Sequence, residues 1–80
     1  MPSRLVLYGR PDCHLCDEAR WGLEKLRRDG PSFDLEEVDI ESDDALMKRF
    51  LERIPVIELD GEIVSELFLD VDLLRAKLRS

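Results

Sequence analysis

Within the first 30 residues the hydrophobic period changes once, and that change constrains the fold more than any other feature. Residues 4–8, "RLVLY", are a short run of strand formers ended by Gly9 and Pro11, which reads as a buried strand. From Leu15 onward the spacing becomes helical. Leu15, Cys16, Ala19, Gly22, Leu23 and Leu26 fall within about 120° of one another on a helical wheel, and charged residues occupy the other faces. Asp29-Gly30-Pro31 then marks the stop, with Gly30 expected as a left-handed cap.

A second strand is predicted over "FDLEEVDI", residues 33–40. Phe33 and Leu35 lie on one face, Val38 and Ile40 on the other, so this strand carries a bulge or touches apolar partners on both sides. Ser42 offers the cap of a short helix, with Asp43 and Asp44 in its first turn beside the positive end of the helix dipole. Leu46, Met47, Phe50 and Leu51 supply the apolar face of that helix. "IPVIEL" and "EIVSEL" flank Asp60-Gly61, a strong hairpin signal. Leu73, Leu74 and Leu78 sit at helical spacing near the end, with Asp70 or Asp72 available at the helix start. The predicted fold is therefore a single α/β domain over residues 1–80, a βαβ unit followed by α-ββ-α, with three helices on a four-stranded mixed sheet.

A chain of 80 residues hides only about 60% of the surface its unfolded form exposes, so the core must be thin. Trp21 lies off the apolar stripe of the first helix, at about 240° against a centre of about 40°. An exposed tryptophan can anchor a partner, but a thin core favours packing Trp21 over its neighbours. The 19 acidic residues against 12 basic ones leave a net charge of −7. That balance repels phosphate backbones and anionic membranes, so neither nucleic acid nor membrane is an expected partner. The apolar run near the N-terminus is too short for a signal peptide, and no segment approaches the ~20 residues of a membrane span. The expectation is a soluble, cytoplasmic, monomeric protein.

Both cysteines lie in "YGRPDCHLCDEA", between the first strand and first helix. In a reducing compartment such a pair is more often catalytic or metal-binding than a structural staple. Cys13 falls near the helix N-terminus, where unsatisfied N–H groups favour thiolate over thiol, and the thiolate is the nucleophile of disulfide exchange. Cys16, one turn on, falls on the apolar face and is expected to be more buried. In this reading Cys13 attacks a disulfide and Cys16 resolves the mixed disulfide. Zinc uses the same spacing but needs four ligands, and the chain has two thiols and one histidine. A metal or iron–sulfur site would have to be shared between two chains; two inert core cysteines are the third reading. Arg10 adds positive charge near Cys13 or is a solvated loop residue, Asp12 opposes thiolate formation, and His14 stabilises a thiolate only when protonated.

"LYGRPDCHLC", the element order and "RIPVIELDG" before a terminal helix resemble the glutaredoxins of the thioredoxin-fold superfamily, best the short glutaredoxin-like proteins with a Cys-His-Leu-Cys motif. The resemblance implies a thiol–disulfide oxidoreductase acting on a disulfide-containing protein or a glutathione mixed disulfide. Thioredoxin reductase or glutathione would supply electrons, with no tightly bound cofactor. It further implies that Pro55 is cis and faces the cysteine pair, that the backbone of Ile54 binds the substrate segment, and that Arg10 helps bind glutathione. The chain departs from the family pattern at several places. Arg53-Ile54-Pro55 replaces Thr-Val-Pro, Ser65-Glu66 replaces Gly-Gly, Leu69 stands where Asp is usual, and His-Leu replaces the Pro-Tyr spacer. Glu66 would repel an anionic tripeptide, so glutathione is a candidate ligand without its usual anchors. The alternative from the same residues is a non-enzymatic binding module on a thioredoxin fold.

Overall fold

The computed structural model describes residues 3–30 and 32–79. Strand β1 spans Ser3–Gly9, helix α1 His14–Asp29, strand β2 Phe33–Asp39, helix α2 Asp44–Phe50, strands β3 Val56–Leu59 and β4 Glu62–Glu66, and helix α3 Val71–Arg79. A short 3₁₀ turn, Ile40–Ser42, joins β2 to α2. The sheet order is β2-β1-β3-β4. β1 pairs parallel with β2 and antiparallel with β3, and β3 pairs antiparallel with β4, which is the mixed four-stranded sheet with three helices that the sequence predicts.

Parallel neighbours need a long crossover, and α1 supplies it. Its buried residues are Cys16, Ala19, Leu23 and Leu26. With Leu5, Leu7, Phe33, Ile57 and Leu74 the three aliphatic members of that stripe, Ala19, Leu23 and Leu26, form the larger core. Alternate strand residues serve the opposite face, where Val56 joins Ile40 and Phe50 under Tyr8, Leu46 and Met47. Helices α1 and α3 therefore cover one face of the sheet and α2 the other. This explains the broken alternation of the second strand. β2 pairs with β1 without interruption from Ser3↔Phe33 to Gly9↔Asp39, so there is no bulge there. Phe33 and Leu35 meet the α1 side, and Ile40 enters the α2 side from the 3₁₀ turn.

The hairpin forms as predicted, with positive φ at both Asp60 (49°) and Gly61 (89°), the combination a two-residue turn requires. Asp60 also ties the tip to β1: its carboxylate accepts from the Arg4 N–H and its own N–H donates to the Arg4 carbonyl, each at 2.9 Å. The irregularity between Ile57 and Glu58 in the β3–β4 pairing was not visible from composition. Asp70, rather than Asp72, caps α3, its carboxylate accepting from the Leu73 N–H at 3.0 Å.

Four local expectations are corrected. Gly30 is extended (φ −125°, ψ −153°), not left-handed; its N–H still closes α1 onto the Leu26 carbonyl at 2.7 Å, and a side chain there would crowd that oxygen. Pro31 lies outside the described residues. Asp43, not Ser42, caps α2, its carboxylate accepting from the Ala45 N–H at 2.8 Å, while the Ser42 hydroxyl donates to the Asp39 carbonyl within the 3₁₀ turn. Leu15 and Leu51 are exposed rather than packed. Trp21 is 60% exposed, so it does not fold into the thin core. No described helix is long and apolar enough to cross a membrane.

Phe50 is fully buried, stacks with Tyr8 at a ring-centroid distance of 4.8 Å, and lies under the Arg49 and Arg53 guanidinium groups. The Tyr8 hydroxyl in turn donates to Glu58 at 3.4 Å, and burial, followed by the Glu58 charge, raises its pKa above the ordinary tyrosine value. Phe50→Ala is expected to cost roughly 3–5 kcal/mol in denaturant unfolding, because it empties the smaller core. Leu51→Ala, one residue away on the exposed side, is expected to stay within about 0.5 kcal/mol of the parent.

Candidate active site

The turn between β1 and α1 sets the cysteine geometry. Asp12 takes a left-handed conformation (φ 61°), one that Asp adopts more readily than most residues other than glycine. That reversal brings Cys13 to the N-cap of α1 in an extended conformation (φ −104°, ψ 107°). The Cys13 sulfur accepts a hydrogen bond from the Cys16 N–H at 3.2 Å, and the Cys13 carbonyl accepts from the Asp17 N–H at 3.1 Å. Cys13 thus occupies the position a serine or aspartate usually fills, with its sulfur against the unpaired donors of the first turn. Cys16 follows on the buried stripe at 1% exposure, whereas Cys13 is half-buried. The two form a disulfide across a Cα–Cα distance of 5.2 Å.

Gly9, the last residue of β1, was missed in the sequence reading. A Cβ built on it would lie 3.0 Å from the Cys16 sulfur and 3.2 Å from its Cβ, so the seat of Cys16 depends on the missing side chain. The available signal was a glycine ending a strand four residues before Cys13.

Beside Cys16 opens a cleft of about 390 Å³ lined also by Arg10, Pro11, Asp17, Arg20 and Glu37. Arg20 bridges its walls, donating to Glu37 on β2 and to Asp17 at 2.9 Å. The Glu37 hydrogen bond, reinforced by Asp17, raises the Arg20 pKa above its ordinary value against the smaller opposing effect of desolvation. Arg10 lines the same cleft, with its Nε 3.6 Å from the Glu41 carboxylate. His14 opens α1 in solvent, 3.4 Å from Glu18 one turn on.

The Ile54–Pro55 peptide is cis and Pro55 is buried. Because Val56 pairs with Tyr8, this peptide and the cysteine loop leave the sheet at the same end. The Ile54 N–H already donates to the Phe50 carbonyl at 3.0 Å. The Leu67 N–H bridges the carbonyls on either side, Arg53 at 3.0 Å and Pro55 at 2.9 Å. Arg53 and Glu66, two of the departures from the glutaredoxin pattern, form an ion pair with each other. Among the described residues no group of three or more His, Cys, Asp or Glu side chains is arranged to hold a metal ion.

Comparison with solved structures agrees with this fold. The chain is 34% identical to protein Ne2328 from Nitrosomonas europaea, with a TM-score of 0.85 over 98% of this chain and 93% of that one. It is 37% identical to protein XcR50 from X. campestris, with a TM-score of 0.73 over 94% and 95% of the two chains. A thioredoxin-2, described as a component of the malaria parasite protein secretion machinery, aligns at 19% identity and a TM-score of 0.71 over 98% of this chain and 82% of that one, which speaks to the fold alone. No curated protein matches the sequence. The fold is thioredoxin-like, and a Cys-x-x-Cys pair at bridging distance on that fold is consistent with a redox-type function. With the family model of the Glutaredoxin-like domain (DUF836) matching residues 4–79, the chain belongs to that glutaredoxin-like family of the thioredoxin superfamily.

Proposed function

We propose that this protein is a cytoplasmic thiol–disulfide oxidoreductase that reduces protein disulfides or glutathione mixed disulfides through Cys13 and Cys16. The observation that carries this reading is the asymmetry of the pair: a half-buried Cys13 at the N-cap, its sulfur facing the Cys16 N–H, bonded to a Cys16 that solvent does not reach. An N–H aimed at the outer sulfur favours its thiolate once the bridge is open.

The chemistry follows from that asymmetry. The Cys13 thiolate attacks one sulfur of the substrate disulfide; a Cys13–substrate bond forms as the substrate S–S bond breaks, and the departing sulfur takes a proton from solvent. Cys16 then loses its proton and attacks the Cys13 sulfur, releasing the second substrate thiol. The substrate gains two electrons and the pair is left oxidised. Thioredoxin reductase or glutathione returns the pair to the dithiol. Arg10, the Ile54 carbonyl and buried Pro55 border the reacting sulfurs in this reading. The glutathione anchor is replaced by the Arg53–Glu66 ion pair, which favours protein disulfides over the free tripeptide.

A redox titration at neutral pH, read by thiol trapping in defined dithiol buffers, tests the reading directly. The expected result is a reversible two-electron couple between about −270 and −180 mV. A pair that does not close reversibly would sink the proposal and leave the binding module. Cys16→Ser should accumulate a covalent adduct through Cys13 when reduced protein meets a disulfide substrate, visible by mass spectrometry. Gly9→Ala tests the seat of Cys16 without touching either sulfur. Its first attack should proceed at the parent rate, while resolution slows roughly tenfold because the attacking sulfur is displaced by a few tenths of an ångström. Equal slowing of both steps would mean that Gly9 matters only to the fold.

A further inference from the structure

The segment after β4 carries an oddity that the redox chemistry does not use. Leu67 has a φ of 70°, a left-handed conformation that a leucine adopts only at a cost and that glycine adopts freely. Burial does not explain the leucine, because Leu67 is 53% exposed and Phe68 beside it 60% exposed. Two large apolar side chains therefore stand in water on a strained backbone, and the strain is held by the Leu67 N–H bridging the Arg53 and Pro55 carbonyls around the cis peptide. Strain maintained in this way marks a position whose side chain serves something other than stability.

The neighbourhood says what that is. Phe68 shares a cleft of about 220 Å³ with Leu15, Ala19 and Gly22 of α1, and with Leu69 and Val71. Leu15 is 47% exposed and lies two residues from Cys13. The apolar strip thus runs from the first turn of the cysteine helix to the loop that borders Pro55. Among the described residues the sole charged one lining this cleft is Glu18, and the chain as a whole carries −7.

Resting on the oxidoreductase reading, we propose that Leu15, Leu67 and Phe68 form a docking strip for a polypeptide substrate whose disulfide cysteine is flanked by a bulky apolar residue and a nearby lysine or arginine. The apolar flank covers the exposed strip, and the basic residue answers Glu18 and the acidic surface. Small anionic disulfides lack both features. The reaction remains the balanced exchange already described: the Cys13–Cys16 dithiol loses two electrons and two protons, and the peptide disulfide becomes two thiols.

The test is single-turnover reduction, by the reduced protein, of the homodisulfides of two cysteine peptides, one with Leu, Phe and Lys around its cysteine and one with Ser and Glu. Each rate is divided by the rate of the same disulfide with dithiothreitol, and bis(2-hydroxyethyl) disulfide and glutathione disulfide serve as small references. The apolar basic peptide is expected to react roughly tenfold faster than the polar acidic one after this correction, the discrimination a modest apolar pocket gives. Leu67→Gly combined with Phe68→Ser should collapse that ratio toward one. Because glycine suits the Leu67 backbone, the double variant should keep or raise the thermal midpoint, which separates lost docking from lost fold. Leu51→Ser, which removes an exposed leucine elsewhere, should keep the parent ratio. Equal corrected rates for the two peptides, or an unchanged ratio in the double variant, would overturn the docking strip. Failure to reduce any disulfide, bis(2-hydroxyethyl) disulfide included, would instead overturn the oxidoreductase reading on which it rests.

Discussion

The site depends on how closely the start of α1 can sit on the end of β1. Parallel pairing of β1 with β2 requires the chain to cross over the sheet, and only four residues separate the strand's last residue from the crossover helix. So short a turn leaves Cys16 directly over Gly9, where an added Cβ would press on the sulfur. The same turn puts Cys13 at the cap, where the backbone donors of the helix are unpaired. One packing constraint therefore fixes both the exposed and the buried sulfur. The asymmetry between the two cysteines is a product of backbone geometry rather than of neighbouring charges, which around this loop are mixed: Arg10 is opposite Glu41, His14 is beside Glu18, and Arg20 holds Asp17 and Glu37.

Much of this was legible in the sequence because the relevant signals are local. The change of period at Leu15, the Asp60-Gly61 turn and the buried stripe through Cys16, Ala19, Leu23 and Leu26 each express a rule that operates over a few residues, and each appears in the structure. The roles that went astray depend on neighbours distant in sequence. Asp43 displaces Ser42 as a cap because Ser42 is drawn into a 3₁₀ turn begun by Ile40, which enters the smaller core. Trp21 stays in water because the α1 face that meets the sheet is already filled by small and aliphatic residues. Gly9 was overlooked because an absent side chain has no pattern; its meaning appears only when the sulfur above it is placed.

The cis peptide was expected through resemblance alone, since no local rule distinguishes Ile54-Pro55 from an ordinary trans proline at the start of a strand. The departures from the glutaredoxin pattern acquire sense only together. Arg53 and Glu66 look like two separate replacements in the sequence, yet they are an ion pair joining the residue before Ile54 to the end of β4. Leu67 follows immediately, bridging the same loop through its N–H. Where the glutaredoxin pattern places its tripeptide anchor, this chain carries an ion pair, with exposed apolar side chains just beyond it.

The strand order also leaves β2 at an open edge of the sheet. Its outward residues include Asp34, Glu36, Glu37 and Asp39, and the acidic run continues through Glu41, Asp43 and Asp44. An unprotected parallel edge is a template for another strand, and a thin-cored chain exposes that edge whenever it loosens. A second copy approaching in register would set carboxylate against carboxylate. Much of the acidity behind the charge of −7 lies along this edge, so that pairing a second copy there sets like charges against one another and opposes growth of the sheet beyond four strands.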